Sequence, residues 1–313
     1  MYLKRLIIII IISISIALLS GILLDHIYKK RWSTLFFDKT ETLIASKTNY
    51  DIIFLGNSRV HFGINPYYID SITKLHSYNF ANGGSDAEDI LLTSRVYLQY
   101  HAAPKVVVIS LDMGALKPNE SLKTCYHYLF YLQNDTIKKY MNKAGHLTTL
   151  MKLLPFIKYS FFDEYNRTSL FLKGKPYPQF DHNIYNGFLN IHRQNNIEAG
   201  AMYAIRDNEE VLSTEAITYL INAVEAFRLN GSIVIFVTPP ERKKSVYRDT
   251  RFRQTTDSVF NSIVKQFRLP NFHFENDSMY TNEYFVDDIH LNEPGSRIYS
   301  LQLGDSIRNQ LHE

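Results

Sequence analysis

The hydrophobic positions of this 313-residue chain fall into three regimes. The first is a run from Leu6 to Leu24, LIIIIIISISIALLSGILL, without a charge. At ~1.5 Å rise per residue, a helix of that length approaches the ~30 Å hydrocarbon core of a bilayer. The run exceeds a signal-peptide core and no small-x-small cleavage pattern follows it. An uncleaved transmembrane anchor is therefore expected over 6–24, with a cleaved signal as the other reading. Residues 1–5 become a cytoplasmic tail. Lys4 and Arg5 precede the run and Lys29, Lys30 and Arg31 follow it, so the positive-inside rule leans only mildly towards an inside amino terminus. The mixed stretch 25–48, with Trp32 and Phe36–Phe37, reads as a juxtamembrane linker or interfacial helix.

From Tyr50 the pattern becomes strand, turn, helix, repeated. Asp51–Leu55 (DIIFL) is a continuous apolar run, as expected of a strand covered on both faces. A short strand over Ser77–Ala81 leads into Gly83-Gly84. Ser85 and Glu88 form an S-x-x-E capping box opening a helix with Ala87, Leu91, Ser94 and Leu98 on one face. Pro104 precedes a third strand, Lys105–Leu111 (KVVVISL). A helix over Thr214–Asn230 carries Ile217, Leu220, Ile221 and Val224 at helical spacing and stops at Gly231. A fourth strand, Ser232–Thr238 (SIVIFVT), ends at Pro239-Pro240, and a last helix begins near Glu293.

Residues 115–205 break this rhythm. They are rich in Tyr, Asn, Phe and Lys and lack clean periodicity. They read as an inserted subdomain of helices and loops, either a lid over the site or a peripheral elaboration. Strands alternating with helices predict an α/β fold: a three-layer parallel sheet flanked by helices, occupying 49–313. In such folds, chemistry gathers beyond the carboxyl ends of the strands. Ser58, Gly84, Asp112 and Pro239 all follow such ends.

Composition narrows the classes. A formal charge of +3, evenly spread, argues against nucleic-acid binding. One cysteine, Cys125, excludes an internal disulfide and a thiolate zinc cluster. No metal-site or phosphate-loop pattern is present, so neither a metal nor a cofactor is expected.

The candidate chemistry rests on two short segments. In Gly56-Asn57-Ser58-Arg59 a serine leaves a buried strand beside a glycine, so its hydroxyl sits on a turn. Such a nucleophile needs a base within reach and backbone donors for the oxyanion. Asp287-Asp288-Ile289-His290 supplies a carboxylate and an imidazole three residues apart, with Asp288 as a rival orienter. His61 and His101 lack a carboxylate at comparable spacing. Arg59 is either a cation that steers the substrate or a packing residue, and Asn65-Pro66 reads as the start of a short helix.

Together these segments resemble the blocks of the SGNH/GDSL hydrolase superfamily. Gly56-Asn57-Ser58 is similar to its first block, with Asn57 in place of the usual aspartate. Asn79-Phe-Ala-Asn-Gly-Gly84 is similar to its second, and Phe285-Val-Asp287-Asp-Ile-His290 to its last. The resemblance runs from about residue 50 to the end, apart from the insertion. It implies an SGNH/flavodoxin-like sheet and a Ser58, His290, Asp287 triad, with Ser58 and Gly84 supplying oxyanion-hole amides. The third block departs: Asp112 stands where the family places an asparagine, and an ionised carboxylate cannot donate to an oxyanion. Asn82 is the candidate replacement.

An anchor followed by such a domain resembles envelope-modifying proteins, such as the DltD family and the SGNH-like partners of alginate and cellulose O-acetylation. The alginate type places an Asp-x-His motif ahead of the serine and fits less well. The resemblance implies a serine esterase or acyltransferase acting on O-acyl groups of a bacterial envelope polysaccharide, with its catalytic domain facing the periplasm or exterior. It implies the bilayer, through 6–24, and a multi-pass membrane O-acyltransferase as partners. The other readings are a lipid esterase or thioesterase, and a weakly active SGNH-like scaffold.

Overall fold

The structure is a computed structural model. It describes residues 2–35, 39–110, 112–117, 125–145, 148–154, 157–158, 185–191, 211–242, 251–275 and 278–312. The chain divides into two compact units, Met1–Thr42 with Cys125–Tyr177, and Leu43–Thr124 with Pro178–Glu313. The expected insertion 115–205 is therefore shared: 125–177 cluster with the amino-terminal segment, and 115–124 and 178–205 with the sheet.

In the first unit, helix α1 (Tyr2–Leu35) runs unbroken through the apolar segment and past it, so the expected linker is helical at least to Leu35. Its stretch Tyr2–Ile27 is long and apolar enough to cross a membrane. Close to the end of that stretch Asp25 pairs with Lys158, and just beyond it Lys29 pairs with Glu41 at 2.7 Å, near the start of α2 (Lys39–Ala45).

The second unit holds a five-stranded, all-parallel sheet in the order β2-β1-β3-β4-β5. The strands are β1 (Ile52–Leu55), β2 (Ser77–Asn79), β3 (Val106–Ser110), β4 (Ile233–Thr238) and β5 (Asn271–His273). The predicted strands appear where expected, slightly shortened. The edge strand β5 was not foreseen: Asn-Phe-His is short, polar and partly exposed, with no apolar run to betray it. Alternate residues serve opposite faces of the sheet. Ile52, Phe54, Val106, Val108, Ile235 and Val237 join one core with Tyr299, Leu303 and Ile307, while Ile53, Leu55, Val107 and Ile109 are equally buried on the other side.

Short helices follow β1: α3 (Ser58–His61) and α4 (Pro66–Thr73). As expected, Asn65 caps α4 by accepting from the Tyr67 amide at 3.0 Å, with Pro66 at its first turn. Helix α5 (Ala87–Tyr100) starts differently from the prediction. Its capping box is Asp86 and Asp89, one residue beyond Ser85 and Glu88. Asp86 accepts from the Glu88 and Asp89 amides, and Asp89 accepts from the Asp86 amide. An aspartate serves as well as a serine in this role, so the S-x-x-E pattern pointed one residue early. Asp135–Lys143 (α6) and Thr148–Leu153 (α7) belong to the first unit.

Helix α8 (Thr214–Leu229) opens at Ser213 and ends before Gly231, whose φ of +86° suits the left-handed stop. Its buried face is Ala216, Leu220, Ala223, Val224 and Phe227. Ile217 and Ile221, expected inside, are only half buried: small alanines let the helix pack closer along a neighbouring stripe. Helices α9 (Arg251–Phe267) and α10 (Glu293–His312) complete the layers, α10 packing on α4. Residues 185–191, the described tail of the insertion, run along the free edge of β2. The Asn186 carbonyl accepts from the Asn79 amide at 2.8 Å, and Gly187 (φ +82°) sits against the Asn79 backbone, where no side chain fits.

The cap assignment is testable by urea denaturation: Asp86→Ala should cost about 1 kcal/mol, whereas Ser85→Ala should leave the midpoint nearly unchanged.

Candidate active site

The sheet order changes direction between β1 and β3, and the crevice beyond such a switch point is where doubly wound folds place their sites. Gly56 ends β1 with φ +149°, and a Cβ there would meet Val60 at 2.8 Å and Ser110 at 3.0 Å. Only glycine lets the chain turn this tightly. Asn57 then caps α3, its Oδ1 accepting from the Arg59 amide at 3.0 Å. Ser58 is thereby fixed as the first residue of a helix, where backbone amides have no partner within the helix.

The structure brings Ser58, His290 and Asp287 together across 232 residues of chain. His290 Nε2 lies 2.8 Å from Ser58 Oγ, and His290 Nδ1 lies 2.7 Å from Asp287 Oδ2. The loop that does this is closed by the Phe285–Leu291 bridge and by the Val286 amide donating to the His290 carbonyl at 2.8 Å. Asp287 Oδ1 accepts from the Ile289 and His290 amides at 2.9 and 2.8 Å, so both carboxylate oxygens are engaged. Burial would raise the Asp287 pKa, but the bond and charge of His290 and the two amides outweigh it and hold the carboxyl below its ordinary range. An Nδ1–H donated to this carboxylate leaves Nε2 free to accept the serine proton. Asp288 is no rival. Its side chain lies 3.6 Å from Arg242 Nη1, and its carbonyl accepts from the Arg242 amide.

The other histidines are elsewhere engaged. His61 stacks on Phe62, and Phe62 meets the His290 ring edge-on at 5.7 Å. His101 stacks on Tyr97 and places Nε2 2.9 Å from the Leu43 carbonyl.

The second block closes the crevice from β2. Asn79 is buried, and its Nδ2 donates to the Val60 and Ile64 carbonyls, both at 2.8 Å, while its Oδ1 accepts from the Ala81 amide. It ties the end of α3 to the exit of β2. Asn82, also buried, donates its amide to the Gly56 carbonyl at 3.2 Å. A Cβ on Gly83 would lie 4.0 Å from that of Ser58, so Gly83 is the glycine pressed against the nucleophile turn. Gly84 follows, exposed, in the left-handed region at φ +80°.

Of the two readings of Arg59, the substrate-steering cation is corrected and the packing residue holds: it is turned inward and its side chain is only 4% exposed. Nη2 donates to the Pro239 and Pro240 carbonyls at 2.7 and 3.1 Å, and Nη1 to Asp112 Oδ2 at 3.3 Å. Glu241 lies 3.9 Å away and pairs in turn with Arg253 at 3.0 Å. Sequence reading missed this network because its partners are two backbone carbonyls and an acid from a distant loop.

Asp112 is equally committed. Its Oδ1 accepts from the Gly114 amide at 2.8 Å, and its carboxylate also takes a hydrogen bond from the Asn57 side chain. Burial opposes its ionisation, yet Arg59 and these bonds hold its pKa below the usual carboxylate range. Asp112 is thus an acceptor and no oxyanion donor. Asn57 and Asp112 thus face one another across a hydrogen bond. Among the described residues no group of three or more His, Cys, Asp or Glu is placed to hold a metal ion.

No protein-family model matches the chain, and no curated protein matches it. Solved structures similar to it include one from Streptococcus pneumonia described as a platelet activating factor (13% identity, TM-score 0.44, covering 94% of this chain and 99% of that one). Another is a family two carbohydrate esterase from Clostridium thermocellum (11%, 0.42, covering 86% and 67%). A third is a GDSL-like lipase from Bacteroides thetaiotaomicron (11%, 0.37, covering 89% and 97%). At these scores and identities the likenesses bear on neither activity nor substrate; the chemistry rests on the sheet order and on the Ser58–His290–Asp287 relay.

Proposed function

We propose that this protein is a membrane-anchored serine esterase or acyltransferase that moves O-acyl groups, acetyl in the first instance, on a bacterial envelope polysaccharide. The observation that carries the reading is the continuous hydrogen-bonded relay from Ser58 Oγ through the His290 ring to Asp287.

In this mechanism His290 accepts the Ser58 proton as Oγ attacks the ester carbonyl, and Asp287 stabilises the imidazolium that results. The Ser58 and Gly84 amides receive the oxyanion, with the Asn82 side chain as a third donor. His290 then protonates the leaving alcohol, leaving an acyl-Ser58 ester. Water or an acceptor hydroxyl, deprotonated by His290, releases the acyl group. With Asp112 unable to donate to the oxyanion, stabilisation falls on the two backbone amides and Asn82. Loss of one such donor costs about 10²–10³ in rate where it has been measured, which suits a slow enzyme on a bound polymer.

The anchor reading is supported by the unbroken α1 helix and by the pairing of Asp25 with Lys158, which makes the helix exit part of a folded unit. The outward-facing catalytic domain, the polysaccharide and a multi-pass O-acyltransferase partner rest on the sequence resemblance alone.

With full-length protein in nanodiscs, Ser58→Ala should abolish fluorophosphonate labelling and lower acetyl-ester hydrolysis by about 10³-fold or more. Equal labelling and turnover in both proteins would sink the enzyme reading and favour a scaffold. Asp287→Asn should retain the fold and lose roughly 10²–10⁴-fold in kcat. Preference for long-chain esters would point to lipid substrates, and transfer to an added acetyl-accepting oligosaccharide to the polymer.

Arg59→Ala takes the cation from Asp112 and the donor from the Pro239 and Pro240 carbonyls, and should destabilise by about 3–5 kcal/mol. The Asp112 carboxyl, depressed in the native state, contributes stability that is complete above its unfolded pKa and is lost as pH falls through the native one. The urea midpoint should therefore hold from neutrality to about pH 5 and decline below it, with a shallower acid slope in Asp112→Asn.

A further inference from the structure

The first unit carries a surface that the proposed chemistry does not use. Helix α7 turns Thr148 and Met151 inward and Leu150 and Leu153 outward, these two being 37% and 63% exposed. Two leucines three residues apart lie on one side of a helix. Around them the segment 125–158 is basic, with Lys138, Lys139, Lys143, Lys152 and Lys158 against a single acid, Asp135. Lys139, Lys143 and Lys152 are exposed. The neighbouring α6 buries Ile137, Tyr140 and Met141 and so sends its lysines to solvent.

The same segment is fastened to α1 where that helix leaves its apolar stretch. Lys158 pairs with Asp25 and lies over the Phe130 ring. Lys29 lies 4.8 Å above the Tyr131 ring, and the Tyr131 hydroxyl donates to Glu41 at 2.9 Å. Asp25 and Lys29 follow the Leu6–Leu24 run directly, so at ~1.5 Å per residue these ties lie within about 8 Å of its end. If α1 spans a bilayer, that is the depth of the lipid headgroups, where aromatic side chains and lysines collect.

We infer that residues 125–158 form a collar on the anchor that lies in the headgroup layer, with Leu150 and Leu153 inserted among anionic phospholipids and Lys139, Lys143 and Lys152 facing their phosphates. The inference rests on the anchor reading. Leucines towards the acyl boundary and lysines in the headgroup plane are what an interfacial helix needs, and each lysine near an anionic surface adds to the attraction.

The test uses the full-length chain in vesicles of phosphatidylcholine with a minority of phosphatidylglycerol. Trp32, the sole tryptophan, is replaced in Trp32→Phe, and Leu153→Trp is added as the probe. Retained fluorophosphonate labelling of Ser58 reports that this variant is folded. The expected result is blue-shifted emission, quenched roughly two-fold or more by lipids brominated high on the acyl chain. Removing phosphatidylglycerol, or adding Lys143→Glu with Lys152→Glu, should weaken the quenching. Red, unquenched emission from protein that still floats with the vesicles overturns the collar and leaves the anchor intact. Protein that fails to float overturns the anchor itself. Quenching that is undiminished in phosphatidylcholine alone overturns the anionic-lipid assignment.

Discussion

A buried guanidinium underlies the whole site. Arg59 follows Ser58 directly, and taking an unpaired cation out of water would cost several kcal/mol. The fold meets that cost by drawing three strand ends around it: the turn after β1, Asp112 after β3, and the Pro239 and Pro240 carbonyls with Glu241 after β4. Parallel strands need long crossovers, and nothing local aligns their exits. Arg59 supplies an alignment by tying the turn that bears Ser58 to the exits of β3 and β4.

The same arrangement explains the two departures in the motif blocks. An aspartate at 112 is demanded by the arginine at 59, and an asparagine at 57 is then the residue that can cap α3 through its oxygen while donating to the carboxylate through its nitrogen. A carboxylate at 57 would face Asp112 as a like charge.

Asp287 shows the complementary device on the other wall of the crevice. Its two oxygens divide the labour, one holding the loop through backbone amides and one orienting the His290 ring. The loop and the base are thus fixed by a single side chain, which is why the neighbouring Asp288 is free to pair with Arg242 instead.

Much of this was legible in the chain. The Ser58, Asp287 and His290 trio came from the resemblance of the motif blocks taken together. Four of the five strands, the helices near Ala87, Thr214 and Glu293 and the membrane-length apolar run follow from periodicity and short motifs, since these depend on local backbone chemistry. Asn65-Pro66 gave its helix start for the same reason. Tertiary structure decided what depends on distant partners. It paired β5 through backbone alone, turned Arg59 inward, chose Asp287 over Asp288, and joined half of the insertion to α1. It also moved the α5 cap to Asp86, where two acids compete for adjacent roles and only the path of the chain selects between them. Hydrophobic spacing reports which face is covered; it carries no record of which carboxylate or carbonyl, 53 or 180 residues away, a buried side chain will meet.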